Sequence, residues 1–241
     1  MRSGAAARRT RPSVGDRPAE ANRAEALIAG AAALEVALTG AQADRLLGFG
    51  ELLEHANRAF NLISRQDVPR LLARHLLDSL SAAPLLPAGT ALDLGTGGGL
   101  PGVPLAIVRE DIRFTLVDRS ERKTRFVARA VRTLGLANVT VRCGDVAGLA
   151  LAPCDAVVSR AVTAPDRLWA LAEPKLAEGG IVVAMYRADG QGEAGSPTPP
   201  AGAEIRSRRR VDIPGLPRPH EILVLARAAS APTDETDARR N

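Results

Sequence analysis

The sequence predicts an α/β protein: a Rossmann-like, mostly parallel sheet with an N-terminal helical extension and an antiparallel strand pair near the C-terminus. Four glycines fall within residues 95–99, between a short apolar run at 90–94 and a helix-like segment at 101–109. After that point strand-like and helix-like segments alternate, which is typical of a parallel sheet with crossover helices. Before it, apolar residues recur at helical spacing.

The extension is predicted to contain three helices. The first two cover residues 20–38 and 42–57. The second has an apolar face that we expect to pack inward, made of Leu46, Leu47, Phe49, Leu52 and Leu53. The third is predicted to begin with Asp67 as N-cap and Pro69 in its first turn, and to stop before Pro84.

Five strands are predicted for the parallel part of the sheet, at 90–94, 113–117, 139–142, 155–159 and 181–186. Amphipathic helices are expected at 121–134, ended by Gly135, and at 165–176, ended by Gly179 and Gly180. A Gly/Pro/Ser-rich loop at 188–203 leads to strands at 204–213 and 221–227. Because no long helix joins these last two strands, we expect them to pair antiparallel at the sheet edge.

Domain boundaries follow from these segments: a disordered basic tail at 1–19, the helical extension at 20–87, the α/β domain at 88–228 and a disordered tail at 229–241. The N-terminal tail has two interpretations. It is either an arm that tethers RNA or a solvated leader without a role.

Bulk composition limits the classes of function. No apolar stretch approaches the ~20 residues that span a membrane, so we expect no membrane association. Two cysteines without paired partners favour a reduced, cytoplasmic protein, which we expect to be a monomer. Cys143 and Cys154 lack metal-ligand spacing, and we expect no metal site. The net charge of +5 is compatible with RNA binding. With 2% aromatic residues, phosphate contacts and shape should dominate over aromatic stacking.

The glycine-rich segment admits two ligand classes. Gly97, Gly99 and Gly102 match the G-x-G-x-x-G spacing of dinucleotide sites, but the first glycine of that fingerprint should directly follow the strand. Here Gly95 follows it and Asp93 lies within it. D-x-G-x-G-x-G in this register resembles the first motif of class I methyltransferases that use S-adenosylmethionine. We therefore favour that cofactor and predict that it is bound by Asp93, Gly95, Thr96, Gly97 and Gly99.

Polar residues after the next strands extend the predicted cofactor site. Asp118 ends the second strand, where a carboxylate accepts hydrogen bonds from ribose hydroxyls, although it can also cap the following helix with Ser120. Asp145 follows the third strand and could meet the adenine amine, or form an ordinary turn. Val146 and Ala147 would then lie along the adenine ring. Arg160 follows the fourth strand, as a ligand contact or as a surface ion pair.

No general base is evident in the sequence. Methyl transfer to a nitrogen lone pair, such as guanine N7, needs no prior deprotonation, so catalysis would depend mainly on alignment. His75, on the leucine-rich face of the third helix, is either a hydrogen-bonded core residue or a ligand contact.

Four segments together resemble the RsmG (GidB) family, which methylates N7 of one guanine in bacterial 16S ribosomal RNA with S-adenosylmethionine. They are His-Leu-Leu-Asp-Ser-Leu at 75–80, Asp-Leu-Gly-Thr-Gly-Gly-Gly-Leu-Pro-Gly-Val-Pro-Leu-Ala-Ile at 93–107, Leu-Val-Asp at 116–118 and Ser-Arg-Ala at 159–161. The resemblance implies cofactor contacts at Gly95, Leu100, Val146, Ala147 and Arg160. It also implies RNA-facing roles for Asn57, Asn61, His75 and Asp78, and 16S ribosomal RNA or a small-subunit precursor as partner.

The sequence departs from the family pattern mainly on the substrate side. Ala56 and Ile63 stand where the family usually has Trp and Thr, and Gly98 replaces a proline. Tyr186 stands where a lysine is usual, and Arg187 could substitute for it. Three other hypotheses therefore remain: a methyltransferase for another RNA or a small molecule, a non-catalytic module that binds RNA or the ribosome, and a dinucleotide oxidoreductase.

Overall fold

The computed structural model describes residues 17–160, 164–187 and 198–229. Its centre is a seven-stranded sheet in the order β3-β2-β1-β4-β5-β7-β6. The strands are β1 (Gly89–Leu94), β2 (Ile112–Asp118), β3 (Val139–Cys143), β4 (Cys154–Arg160), β5 (Leu176–Arg187), β6 (Ala203–Val211) and β7 (His220–Arg227).

The pairing confirms the predicted fold class. Strands β3, β2, β1, β4 and β5 are parallel neighbours, whereas β7 runs antiparallel to both β5 and β6. The crossover helices are α4 (Gly102–Val108), α5 (Glu121–Leu134) and α6 (Pro165–Ala172). Ser120 caps α5 at its N-terminus, and Gly135 ends it in the left-handed conformation.

The helical extension contains α1 (Arg17–Ala32) and α2 (Gly40–Phe60), followed by a 3-10 helix (Arg65–Arg70) that continues through a π-helical turn (Leu72–Leu77) into α3 (Asp78–Leu80). A capping box between Thr39 and Gln42 fixes the start of α2. The predicted second helix and its apolar face are confirmed. The first helix ends earlier than predicted, because the chain turns at Glu35, whose φ is 61°.

Two further predicted helix boundaries are wrong. Ser64, not Asp67, caps the third helical segment; Asp67 is buried within it and forms ion pairs with Arg70 and Arg74. The helix predicted at 165–176 ends at Ala172, and β5 already begins at Leu176. Gly179 and Gly180 are therefore not a helix cap: they lie in an irregularity of β5, where the register against β4 shifts between Cys154 and Ala156.

The two faces of the sheet are covered differently. The extension, α4 and α5 share one apolar core with side chains such as Phe49, Leu76, Ile107 and Leu116, while α6 covers the opposite face through Leu168 and Trp169. The extension is thus packed directly onto the sheet, and the carboxyl ends of β1, β2 and β4 lie beside it. The domain boundaries at 20–87 and 88–228 remain predictions.

Several predicted segments lie outside the described residues: the basic tail up to residue 16, most of the 188–203 loop and the C-terminal tail from residue 230. Among the helices that are described, none is long and apolar enough to cross a membrane. Likewise, the described residues contain no group of three or more side chains that could hold a metal ion.

Candidate active site

The side chain of Asp93 fixes the glycine turn between β1 and α4 through two hydrogen bonds. Its Oδ2 accepts hydrogen bonds from Thr96 Oγ1 at 2.6 Å and from the Gly102 backbone N–H at 2.8 Å. One carboxylate oxygen therefore ties the middle of the turn to the start of α4. A Cβ at Gly102 would lie within 2.5 Å of that oxygen, so this position requires glycine.

Burial sets the ionisation of Asp93. The side chain is fully buried, and burial raises its pKa to about 6, against the opposing effects of the Thr96 and Gly102 hydrogen bonds and of the nearby Arg160 charge. Its Oδ1 has no hydrogen-bond partner among the described residues. The glycine turn is therefore hydrogen-bonded to a carboxyl group whose pKa is about 6.

Asp118 links the glycine turn to the next helix. Its Oδ2 accepts a hydrogen bond from Gly97 N–H at 2.9 Å, and its Oδ1 accepts one from Ser120 N–H at 2.8 Å. Ser120, rather than Asp118, is the N-cap of α5. Each carboxylate oxygen retains a second lone pair, so Asp118 can still accept hydrogen bonds from a ligand.

A cleft of about 490 Å³ opens at the carboxyl ends of β1, β2 and β3, a volume within the usual range of small-molecule sites. Five residues predicted from the sequence to bind the cofactor line it: Gly95, Asp118, Asp145, Val146 and Ala147. Seven further lining residues were not predicted: Leu94, Val117, Arg119, Lys123, Gly144, Arg167 and Leu171. Most of the seven lie within a few residues of a predicted strand end. Their position after a strand was therefore the one sequence feature that could have identified them.

The wall opposite the glycine turn is a tight loop. Asp145 Oδ1 accepts a hydrogen bond from Ala147 N–H at 3.1 Å, and its other oxygen lies 3.9 Å from Arg119 Nη1. Val146 is buried while Ala147 is exposed. Asp145 thus forms the turn and still presents a carboxylate at the mouth of the cleft.

The other predicted cofactor residues do not line the cleft. Thr96 and Leu100 are buried, and a Cβ at Gly99 (φ +86°) would lie 2.9 Å from Val103 and 3.3 Å from Phe49. Gly97 faces more open space, since a Cβ there would meet only the Gly95 carbonyl oxygen, at 3.9 Å. The second half of the glycine turn, residues 98–99, packs on α2 and thereby shapes the cleft without lining it.

Arg160 is neither a lining residue nor a surface ion pair. Its Nη1 lies 3.2 Å from His75 Nδ1 and 3.3 Å from Asp78 Oδ2, and its side chain is 18% exposed. On the other side of the carboxylate, Asp78 Oδ1 lies 2.5 Å from His220 Nδ1. We call His75, Asp78, Arg160 and His220 the strand-end network, because it connects the extension to the end of β4 and the start of β7.

Hydrogen-bond chemistry fixes both imidazoles of the strand-end network. Arginine only donates, so His75 Nδ1, facing Arg160, must accept. His220 Nε2 lies 3.3 Å from Arg74 Nη1 and must accept there, which leaves its Nδ1–H to donate to Asp78. Burial alone would raise the pKa of Asp78, but the His220 hydrogen bond and the Arg160 charge hold it below its usual value. His75 is thus a hydrogen-bonded core histidine, one of its two predicted alternatives.

The remaining substrate-side candidates lie at the end of α2 and at the end of β5. Asn57 is buried and its Oδ1 accepts a hydrogen bond from Ile63 N–H at 2.9 Å, whereas Asn61 ends α2 in the left-handed conformation and is exposed. Tyr186 is half-buried; its pKa is raised by burial to about 12, so it supplies no charge. Arg187 ends β5 opposite His220, and its side chain lies outside the described part of the structure.

Comparison with known proteins assigns the family. Residues 42–194 match the GidB family, described as rRNA small subunit methyltransferase G. A protein named Ribosomal RNA small subunit methyltransferase G from Neisseria meningitidis is 36% identical over 206 residues, covering 85% of this chain and 99% of that protein. One of the same name from Ralstonia nicotianae is 40% identical over 213 residues, covering 84% and 95%.

Among solved structures, a SAM-dependent methyltransferase from Aquifex aeolicus superposes with a TM-score of 0.49 at 19% identity, covering 67% of this chain and 95% of that one. The family match and the relatives confirm the resemblance seen in the sequence. The chain belongs to the GidB family of small-subunit ribosomal RNA methyltransferases.

Proposed function

We propose that this protein transfers the methyl group of S-adenosylmethionine to N7 of a guanine in 16S ribosomal RNA. The observation that supports this most directly is the cleft beside the glycine turn, lined by Asp118 and Asp145, in a chain of a small-subunit methyltransferase family. The same proposal has the protein act as a monomer in the cytoplasm, without membrane association.

The lining residues suit the chemical groups of the cofactor. We assign Asp118 to the ribose hydroxyls, Asp145 to the adenine amine, and Val146 with Ala147 to the adenine ring. Gly95 leaves space beside the strand end for the rest of the molecule. Asp93, Thr96, Gly97, Gly99, Leu100 and Arg160 then support the site from around it. When bound, the cofactor supplies an electrophilic methyl group on a sulfonium.

The acceptor chemistry makes few demands on acid–base groups. Guanine N7 has an available lone pair, and the positive charge passes from sulfonium to purine as the methyl group moves, so no proton needs to be removed. The work of the protein is to align nucleophile, methyl group and sulfur. We propose that Asn57, Asn61, His75, Asp78 and Arg187 form or support the acceptor side.

The test is methyl transfer from labelled S-adenosylmethionine to small-subunit RNA that lacks the native modification, supplied both naked and as assembled particles. Strand cleavage at N7-methylguanine maps the product. We expect a single labelled guanine with the wild-type protein and loss of label with Asp118→Ala, whose fold is checked by circular dichroism. Cofactor binding without any labelled guanine in either substrate would refute the proposal and favour another acceptor or a non-catalytic RNA-binding role.

A further inference from the structure

Phe60 is an aromatic side chain left in solvent at the edge of the site. It is the last residue of α2 and is 41% exposed, the one large hydrophobic residue classed as exposed in the described part of the chain. Phe49, on the same helix, is fully buried. Packing of the core therefore does not explain why a phenylalanine ends α2.

Arg122 lies over this ring, with its guanidinium carbon 5.8 Å from the ring centroid, a distance suited to a cation–π contact. It occupies the first turn of α5, where a positive charge opposes the helix dipole. No hydrogen bond or ion pair to another described residue neutralises it, whereas Arg125 is paired with Glu121 at 2.5 Å. Helix stability thus does not explain Arg122 either.

Both residues of the pair are close in the chain to residues that contact the glycine turn. Phe60 is two residues before Leu62, which a Cβ at Gly98 would meet at 3.4 Å. Arg122 is four residues after Asp118, which holds Gly97. Lys123, next to Arg122, lines the cleft. An exposed ring with a cation over it therefore lies where the extension meets the candidate cofactor site.

We propose that Phe60 and Arg122 form a stacking platform for an unpaired base of the RNA next to the target guanine, with Arg122 also contacting the adjoining phosphate. This rests on the proposed function for the identity of the RNA. Aromatic rings and guanidinium planes are the surfaces on which splayed-out bases stack. The low aromatic content predicted no stacking surface, but a single ring completed by an arginine suffices for one base.

The local charge favours RNA over a protein partner. Arg58, Arg119 and Lys123 lie within a few residues of the pair, and the carboxylates that the two arginines contact, those of Glu54 and Asp145, are 4.0 and 3.9 Å away. One ring offers little apolar area to a protein surface, but it matches one base face with a phosphate beside it.

The direct test replaces the ring by an indole. Trp169, the only tryptophan, is 5% exposed, so in Phe60→Trp the added indole reports on solvent-facing events. We expect an unmodified small-subunit RNA fragment containing the target guanine to quench it, and Arg122→Gln in the same background to weaken that quenching. Unchanged fluorescence on saturating RNA binding would overturn the proposal and leave a protein contact as the alternative.

Kinetics separate stacking from a structural role. Phe60→Ala should raise KM for RNA about 5- to 150-fold while leaving the dissociation constant of S-adenosylmethionine and the thermal midpoint nearly unchanged. Phe60→Tyr, which keeps the ring, should restore KM, and Arg129→Gln, an exposed arginine on the same helix, is the matched control. An equal loss in Phe60→Tyr, or none in Phe60→Ala, contradicts stacking. If the wild type binds RNA but transfers no methyl group, the proposed function fails, and the fluorescence experiment still decides on the platform.

Discussion

The raised pKa of Asp93 predicts that this residue makes the folded protein less stable as the pH rises. The ordinary pKa of an aspartate is 3.8, and burial raises that of Asp93 to about 6 in the folded protein. Between these values the folded state holds a proton that the unfolded chain has released. The contribution to stability is therefore full below 3.8 and is lost as the pH rises through about 6.

The substitution Asp93→Asn removes this titration while keeping an oxygen that can accept hydrogen bonds from Thr96 and Gly102. With the two pKa values above, ionisation of Asp93 lowers the free energy of unfolding of the wild type by about 1.4 kcal/mol more at about pH 7.5 than at about pH 5. We expect the free energy of unfolding of the variant, minus that of the wild type, to increase by about that amount over this range.

Urea unfolding followed by circular dichroism across this pH range measures the difference, without cofactor, because a ligand adds its own stabilisation. Asp111→Asn is the control. The hydrogen bond from Arg109 lowers the pKa of that exposed carboxyl, so its stabilisation is lost only as the pH falls below 3.8, and this variant should show no trend between about pH 5 and about pH 7.5. A difference for Asp93→Asn that does not vary with pH would refute the reasoning.

Three further predictions concern the turn, the cleft and the strand-end network. Gly102→Ala should cost about 1–3 kcal/mol in urea unfolding, because its Cβ meets Asp93 and Leu116, whereas Gly40→Ala, with open space around it, should be close to neutral. Asp118→Asn should weaken S-adenosylmethionine binding about 10-fold or more by calorimetry, with Asp111→Asn unaffected. His220→Leu should lose about 1.5–3 kcal/mol at neutral pH, and the deficit should shrink as the pH falls below 3.8, because the depressed pKa of Asp78 depends on that histidine.

The positions of most strands and helices, and the antiparallel pairing of the last two strands, were predictable because local periodicity and glycine placement reflect short-range physics. The errors occur where tertiary contacts override local preference. Asp67 has the chemistry of an N-cap, but ion pairs with Arg70 and Arg74 draw it into the helix. Gly179 and Gly180 resemble a helix end, yet Pro174 stops α6 sooner and the glycines accommodate an irregular stretch of β5.

The site was predictable to the extent that its residues follow strands. Asp118 and Asp145 were placed at the cleft because the carboxyl ends of parallel strands share one edge. Arg160 satisfied the same rule, and no local signal indicated that Asp78 and His75 would engage it, since 82 and 85 positions separate them from it. No role was predicted for His220 for the same reason: chain separation conceals partners that an antiparallel strand brings together.

The strand-end network joins the helical extension to the sheet edge that carries the proposed active site. Methyl transfer to a lone pair depends on alignment, and a misplacement of about 1 Å can cost about 100-fold in rate. Asp78 and His75 bring the extension onto Arg160 at the end of β4, while Gly98 and Gly99 pack on Leu53, Leu62 and Phe49 of the same extension. The extension, proposed to face RNA, and the glycine turn, proposed to face the cofactor, are thus positioned relative to each other by two groups of contacts, the strand-end network and the packing of the turn on α2. Loosening either contact should therefore lower the rate of transfer more than it lowers the affinity for cofactor.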